Sequence, residues 1–193
     1  ILVCLVGSEM CIRDSPYDLD ESQLDWTRYD SDPNIWRTRY VGEALQNAFN
    51  LSINGFDHVI GNSNSAPAWL KTNGQHNGGG TLISGGESEF SEFLVAFLNG
   101  MESRYGIEVT AISPTNEPDY EVSYESMNTT PSELSSILIN LNSRLANSGL
   151  DHIKIVSPEC FRVESQNSGT SATNYINAMF QNSAVEELSL IHI

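Results

Sequence analysis

The sequence predicts an α/β fold with a parallel sheet, because helical and strand patterns alternate along the chain. Four helical stripes and three short apolar runs follow one another, beginning and ending with a helix. This order is typical of parallel strands joined by right-handed crossovers. Each apolar run leads into a long polar loop with aromatic residues, and in a (β/α) barrel such loops form the active face. Three strands cannot close a barrel, so the prediction is a partial (β/α)8 TIM barrel.

The first two predicted helices are marked by apolar stripes at helical spacing. The first spans residues 37–54 and ends before Gly55, a residue typical of the position after a helix. Its expected apolar face consists of Val41, Ala44, Leu45, Ala48 and Phe49. The second ends at Gly106, and its stripe consists of Phe90, Phe93, Leu94, Phe97 and Met101.

The third predicted helix has the clearest start and stop signals. Thr130 and Glu133 form a capping box with Pro131 at the first helical position, and Gly149 marks the end. Its stripe consists of Leu134, Ile137, Leu138, Leu141 and Leu145. A fourth stripe consists of Ala172, Tyr175, Ile176, Met179 and Phe180.

The predicted strands are the apolar runs at residues 56–61, 107–113 and 152–157. The chain contains neither a G-x-G-x-x-G motif nor a P-loop, so nucleotide binding on a doubly wound sheet has no support. The Asp-rich segment 16–35 and the glycine-rich segment 62–86 are predicted to be loops.

The two ends of the chain, residues 1–15 and 188–193, are predicted to be translated sequencing adapter. Residues 10–15 can be encoded by ATG TGT ATA AGA GAC AGx, and the complementary strand in a shifted frame encodes residues 188–192. Chance explains such a relation poorly, so both ends are set aside from the native protein. Residues 16–187 are then expected to be an internal fragment of the barrel domain. The alternative is that residues 1–6 begin a signal peptide or a buried strand.

The composition is strongly acidic, with 25 Asp and Glu against 9 Lys and Arg and a net charge of −16. This balance argues against nucleic acid or an anionic membrane surface as a partner, because both require basic patches. It fits a soluble, secreted protein. His58, His76 and His152 lack the spacing of metal ligands, and no cofactor or obligate protein partner is expected. Cys160 is predicted to be a small apolar residue rather than a nucleophile.

Asn116-Glu117-Pro118 follows the second predicted strand and is the strongest candidate for chemistry. Cleavage of a glycosidic bond needs a carboxylic acid beside the leaving oxygen and a second carboxylate across the sugar ring. An adjacent Asn can donate a hydrogen bond to a sugar hydroxyl. Asn-Glu-Pro also suits an ordinary turn, so the motif alone does not decide between the two interpretations.

A second polar stretch, residues 61–74, follows the first predicted strand. Trp69 offers a flat aromatic surface for a sugar ring, and Asn62, Asn64 and Ser65 offer partners for its hydroxyls. The alternative for Trp69 is a core or lid residue that never contacts a ligand.

Taken together, these stretches resemble glycoside hydrolase family 30, which contains glucosylceramidases, endo-xylanases, β-1,6-glucanases and galactanases. Residues 65–74 read Ser-Ala-Pro-Ala-Trp-Leu-Lys-Thr-Asn-Gly, and residues 111–118 read Ala-Ile-Ser-Pro-Thr-Asn-Glu-Pro. A glycine-rich loop and a Phe-rich helix lie between them, and the resemblance extends over residues 16–187.

The resemblance implies a retaining glycosidase in which Glu117 is the general acid/base at the end of the fourth barrel strand. The chain would then cover roughly strands 3 to 5 with flanking helices. Asn116, Trp69, Asn64 and Tyr120 are expected to bind a polysaccharide or glycoconjugate substrate. The nucleophile of the family follows the seventh strand, so it is expected to be absent from this chain. Glu159 is assigned to the wall of the site rather than to that role.

One departure bears on the substrate. Glucosylceramidases usually carry Trp where this chain has Asn64, and several polysaccharide-active members have a Ser-Asn-Ser pattern like residues 63–65. An endo-β-glycanase such as a xylanase or β-1,6-glycanase is therefore favoured. The alternatives are a glucosylceramidase-like exo-glycosidase and a non-catalytic carbohydrate-binding barrel. The chain alone is expected to be inactive.

Overall fold

A computed structural model of the chain describes residues 2–5, 36–164, 171–188 and 190–191, with side chains over 40–164 and 171–188. Five parallel strands form one sheet whose spatial order follows the chain. This arrangement confirms the predicted α/β class; the predicted loop over residues 16–35 lies outside the described residues. The strands are β1 (Leu2–Leu5), β2 (Ile60–Ser63), β3 (Ala111–Ser113), β4 (Lys154–Val156) and β5 (Leu190–Ile191).

Helices connect the strands, as the alternating pattern predicts. No helix in the described ranges is long and apolar enough to cross a bilayer. A 3₁₀ turn, Ala68–Leu70, lies in the loop after β2. The helices are α1 (Trp36–Leu51), α2 (Glu87–Tyr105), α3 (Pro131–Asn147), α4 (Ala172–Met179) and the single turn α5 (Ser183–Glu186).

The three predicted strands are present but shorter than predicted. The main-chain N–H groups of Thr110 and Ala111 both donate to the Val59 carbonyl, at 2.8 and 3.3 Å. Regular pairing begins only at Ile60 with Ala111. Val59, Ile107 and Val109 before these positions are apolar and buried, but Asp57, His58 and Glu108 between them are exposed, and this part of the chain does not form a regular ladder.

The edge strands β1 and β5 fall in the two segments predicted to be translated adapter. Leu2 pairs with Ile60, and Leu190 pairs with Ile155, in parallel register. Strand pairing uses main-chain groups, so any short apolar run can occupy an open sheet edge. The pairing therefore does not test the codon relation between the two ends, and their assignment as adapter stays a prediction.

Helix α2 supplies the largest part of the core. Every residue of its predicted stripe is buried, and Val95, Ala96 and Leu98 on its other faces are buried as well. It packs against α3, whose five predicted stripe residues are also buried. A full Phe or Leu side chain contributes about 1.5–3 kcal/mol when it is buried, so this helix pair contributes a large part of the stability of the fold.

The predicted ends of α2 and α3 are confirmed. Gly106 closes α2 in the left-handed conformation with φ 65°, which glycine adopts without strain. Thr130 Oγ1 accepts from the Glu133 N–H at 3.2 Å, and Glu133 Oε2 accepts from the Thr130 N–H at 2.6 Å. This capping box fixes where α3 begins, immediately after the loop that follows β3.

The predicted apolar face of α1 is largely wrong. Leu45 is buried, but Ala44 and Ala48 are exposed and Phe49 is 42% exposed. The helix approaches α2 through Gly42, where a Cβ atom would lie 2.5 Å from the Tyr105 ring. Because this contact depends on a missing side chain, a hydrophobic pattern does not reveal it.

Candidate active site

The carboxyl ends of β2, β3 and β4 bring three polar residues to one edge of the sheet. Asn62 and Ser113 are register partners at the ends of β2 and β3, and both are buried. Glu159 follows β4, and its Oε2 accepts a hydrogen bond from Asn62 Nδ2. Burial raises the pKa of the Glu159 carboxyl, and a hydrogen bond with the Ser113 side chain opposes this shift. The edge therefore holds a carboxyl group whose protonated form is favoured by its surroundings.

Glu117 lies beside Glu159 and is held there by the main chain. Asn116 forms a parallel bridge with Glu159, and the Glu117 N–H donates to the Glu159 carbonyl at 2.8 Å. Glu117 has φ 47°, the only positive φ among the described non-glycine residues. Such a backbone costs about 1–3 kcal/mol and is concentrated at functional sites. The surrounding hydrogen bonds therefore hold Glu117 in a strained turn next to a second carboxyl group.

Asp119 joins the loop that carries Glu117 to the loop that carries Glu159. Its side chain has 0% exposure, and its carboxylate accepts from the N–H groups of Phe161 and Arg162 at 2.7 and 3.3 Å. Arg162 Nη1 also lies 3.9 Å from Asp119 Oδ2. Hydrogen bonds to a charged acceptor are about twice as strong as neutral ones, so the two loops are fixed relative to each other.

Tyr175 supports the same loop from α4. Its hydroxyl donates to the Thr129 carbonyl and lies 3.3 Å from the Pro118 carbonyl. The ring is only 2% exposed, and burial raises the pKa of its hydroxyl. A neutral phenol therefore ties the residue after Glu117 to the start of α3 through the carbonyls of Pro118 and Thr129.

The chain was compared with known proteins and solved structures. No protein-family model and no curated protein sequence matches it. An endo-β-1,6-glucanase superposes with TM-score 0.74 and 15% identity, over 99% of this chain and 41% of that protein. The catalytic domain of a family 30 xylanase C from Talaromyces cellulolyticus gives 0.65 and 20%, over 97% and 41%. The chain has the fold of part of the barrel found in glycoside hydrolase family 30.

SrfJ from Salmonella typhimurium is a third similar structure, with TM-score 0.71 and 22% identity over 93% of this chain and 36% of SrfJ. The chain therefore spans about two fifths of the length of these structures. The fold matches the predicted family and the predicted partial barrel. The identities are too low for the comparison to transfer a reaction or a substrate.

Within this family 30 fold, two of the predicted sugar-binding residues lie in the Glu117 loop. Asn116 is half-buried and directly precedes Glu117. Tyr120 is also half-buried, and its N–H donates to the Glu117 carbonyl at 2.9 Å. Its ring stacks on Phe161, with centroids 4.4 Å apart and 14° between the planes. The structure thus places Asn116, Glu117 and Tyr120 in one turn, against the Glu159 loop.

The other two predicted sugar-binding residues lie in the loop after β2. Asn64 is half-buried and follows the strand directly. Trp69 lies in the 3₁₀ turn and packs partly against the core. Its indole N–H is buried and has no hydrogen-bond partner among the described residues. Asn62 and Ser65 are buried and bond to protein groups.

Lys71 is a buried charged residue that the sequence interpretation missed. It is 3% exposed, and its Nζ donates to Ser65 Oγ at 3.0 Å and to the Ser126 carbonyl at 2.6 Å. Burial lowers the pKa of its amine to about 8. Lys71 therefore connects the Trp69 loop to the loop after β3. Its position between Leu70 and Thr72 gives no local signal of burial.

Cys160 behaves as predicted, as a small residue packed against the core. Burial, together with the charge of Asp119, raises the pKa of its thiol to about 12. A thiol that stays protonated at neutral pH is a poor nucleophile, which agrees with the predicted role of Cys160 as a packing residue.

Proposed function

We propose that the chain supplies the acid/base side of a retaining glycoside hydrolase that acts on β-linked glycans. The main support is the strained Glu117 turn, bridged to Glu159 at the carboxyl ends of parallel strands. Active sites of (β/α) barrels form at this end. Glu117 would protonate the leaving oxygen and later deprotonate the attacking water. Asn116 would donate a hydrogen bond to a hydroxyl of the bound sugar.

Retention requires a nucleophile about 5–5.5 Å from the acid/base. Glu159 does not suit this role, because Asn62 occupies its carboxyl group and burial favours its protonated form. We assign the nucleophile to a barrel strand outside residues 16–187, so the chain alone should hydrolyse nothing. Turnover of xylan or a β-1,6-glycan by these 193 residues would contradict this assignment.

The favoured substrate is an internal bond of a β-glycan, cut by an endo-acting enzyme. The support is the Ser-Asn-Ser pattern at residues 63–65 and the folds of the similar xylanase and endo-β-1,6-glucanase. A polymeric substrate and the acidic composition also suit secretion. A glucosylceramidase-like exo-glycosidase would instead release single sugars from chain ends.

The test uses a chain that carries a complete barrel around these residues. Glu117→Gln keeps the size of the side chain but removes the proton donor. With a natural glycan, whose leaving group is poor, the variant should lose about 10²–10⁴-fold in kcat/KM, the range typical of general acid catalysis. With an aryl glycoside that has a good leaving group, the loss should be much smaller.

Glu102→Gln, on an exposed position of α2, is the matched control and should leave both rates unchanged. Equal losses by Glu117→Gln on both substrates would remove Glu117 from the acid/base role. Binding without turnover by the wild-type complete barrel would identify a carbohydrate-binding relative. The products from a soluble polymer would then separate endo from exo cleavage.

A further inference from the structure

We propose that Phe161, stacked on Tyr120 and flanked by Arg162, forms a subsite for one sugar ring next to Glu117. The inference rests on the proposed function, since it names a further part of the same site. It assigns a binding role to Phe161 and Arg162 and a positioning role to Asp119. The ligand class is a neutral β-linked oligosaccharide.

The exposure of Phe161 is the first observation. Its side chain is 53% exposed, although phenylalanine is among the residues most often buried. The ring is nonetheless ordered by stacking on Tyr120, at 4.4 Å between centroids. A flat apolar surface held in this way suits the C–H face of a sugar, which loses apolar surface to water when it stacks.

Arg162 leaves the outer faces of this stack open. Its guanidinium carbon lies 5.2 Å from the Tyr120 centroid and 5.4 Å from the Phe161 centroid. A group nearly equidistant from two parallel rings lies alongside them rather than over an outer face. Its nearest Asp119 oxygen is 3.9 Å away, so with respect to the described residues most of its five N–H donors remain available for sugar hydroxyls.

Asp119 holds the platform in place before any ligand arrives. The same buried carboxylate accepts from the main-chain N–H groups of Phe161 and Arg162. The main-chain N–H of Tyr120, whose ring is the other member of the stack, donates to the Glu117 carbonyl. A platform fixed in advance loses little entropy on binding, and its connection to Glu117 places the bound ring beside the proposed acid/base.

The test measures binding rather than hydrolysis, with the whole chain. Hexasaccharides of β-1,4-xylose and β-1,6-glucose are titrated calorimetrically into wild type, Phe161→Ala, Phe161→Tyr and Arg162→Met. Phe161→Ala should weaken the binding of whichever glycan binds by about tenfold, as for one lost aromatic contact. Phe161→Tyr should bind within about twofold of wild type, because it keeps the ring. Arg162→Met should also weaken binding.

Phe49→Ala is the matched control, since Phe49 is 42% exposed on α1 and lies away from the carboxyl edge; it should bind as wild type does. Wild-type affinity in Phe161→Ala, or no binding of either glycan by wild type, would overturn the inference. Because Phe161 is exposed and its truncation removes only the stack on Tyr120, circular dichroism should not change and the melting temperature should fall only slightly. If Phe161→Ala weakens binding while Glu117→Gln leaves hydrolysis by the complete barrel unchanged, the subsite stands and the acid/base proposal fails.

Discussion

Polar side chains at the two ends of the parallel sheet differ in their hydrogen bonding. At the amino end, the Thr110 hydroxyl accepts from the Val59 N–H at 3.2 Å and donates to the Val59 carbonyl at 3.1 Å. At the carboxyl end, Asn62 Oδ1 and Thr115 Oγ1 are buried and have no hydrogen-bond partner within the described part of the chain. An unpaired buried polar atom costs about 1–3 kcal/mol, so Asn62 and Thr115 carry a cost that the paired hydroxyl of Thr110 does not.

Several titratable groups at the carboxyl end are perturbed by burial. Four side chains in or against its loops have a clearly shifted pKa: Lys71, Glu159, Cys160 and Tyr175. Burial is the largest cause in each case. Folding gains nothing from burying a charge without a counter-ion, whereas shifted pKa values are concentrated at functional sites. The shifted pKa values of the carboxyl end are therefore consistent with its proposed role as the ligand-binding end of the sheet.

The largest expected effect concerns the charge of Lys71. Its pKa is about 8 in the folded chain against 10.5 in the unfolded one, so between these pH values the unfolded chain binds more protons. The free energy of unfolding should therefore rise with pH in this window, by about 3 kcal/mol relative to Lys71→Met. Urea unfolding of both proteins at pH 7.5, 9 and 10.5 measures this difference in the free energy of unfolding.

Taking the difference between wild type and Lys71→Met cancels the titration of Cys160 and Tyr175, which both proteins share. Lys154→Met changes an exposed lysine and should not alter the pH dependence. Parallel curves for wild type and Lys71→Met would mean that burial of Lys71 does not penalise its charge.

A matched pair of Thr→Val substitutions tests the two ends directly. Thr110→Val removes the acceptor of the buried Val59 N–H and should lower the free energy of unfolding by about 1–2 kcal/mol. Thr115→Val removes a buried hydroxyl without a partner among the described residues and should raise the free energy of unfolding, by up to about 1–3 kcal/mol, because that unpaired atom no longer opposes folding. Chemical denaturation of both variants at pH 7 provides the comparison. Equal destabilisation would remove the contrast between the two ends.

The sequence was most informative where the cause of structure is local. The capping box at Thr130 and the stripe of α2 depend on residues within a few positions of one another, and both were predicted correctly. Asn116 and Glu117 follow a buried strand and were placed at its carboxyl end for that reason. Their assignment to chemistry, however, came from a resemblance to a family rather than from periodicity.

Contacts between distant residues explain what the sequence could not predict. The buried amine of Lys71 donates to the carbonyl of Ser126, 55 positions away. The carboxylate of Asp119 accepts from the N–H of Phe161, 42 positions away. The face of α1 was wrong because Gly42, rather than an apolar side chain, makes the close approach to Tyr105. The pairing of Asn62 with Glu159, 97 positions apart, also requires knowing which strands are neighbours.

The smallest expected effect concerns Glu159, whose carboxyl pKa is raised above 4.5 mainly by burial. Above pH 4.5 the folded chain then holds a proton that the unfolded chain releases, so stability falls as pH rises toward the folded pKa. Glu159→Gln does not titrate and can still accept the hydrogen bond from Asn62. The free energy of unfolding of Glu159→Gln minus that of wild type should grow as pH rises from 4.5 and then level off. The control Glu102→Gln, at an exposed position, should not show this rise. A variant that is uniformly less stable than wild type would instead mean that a charged Glu159 stabilises the edge, and its raised pKa would no longer count as a mark of function at the carboxyl end.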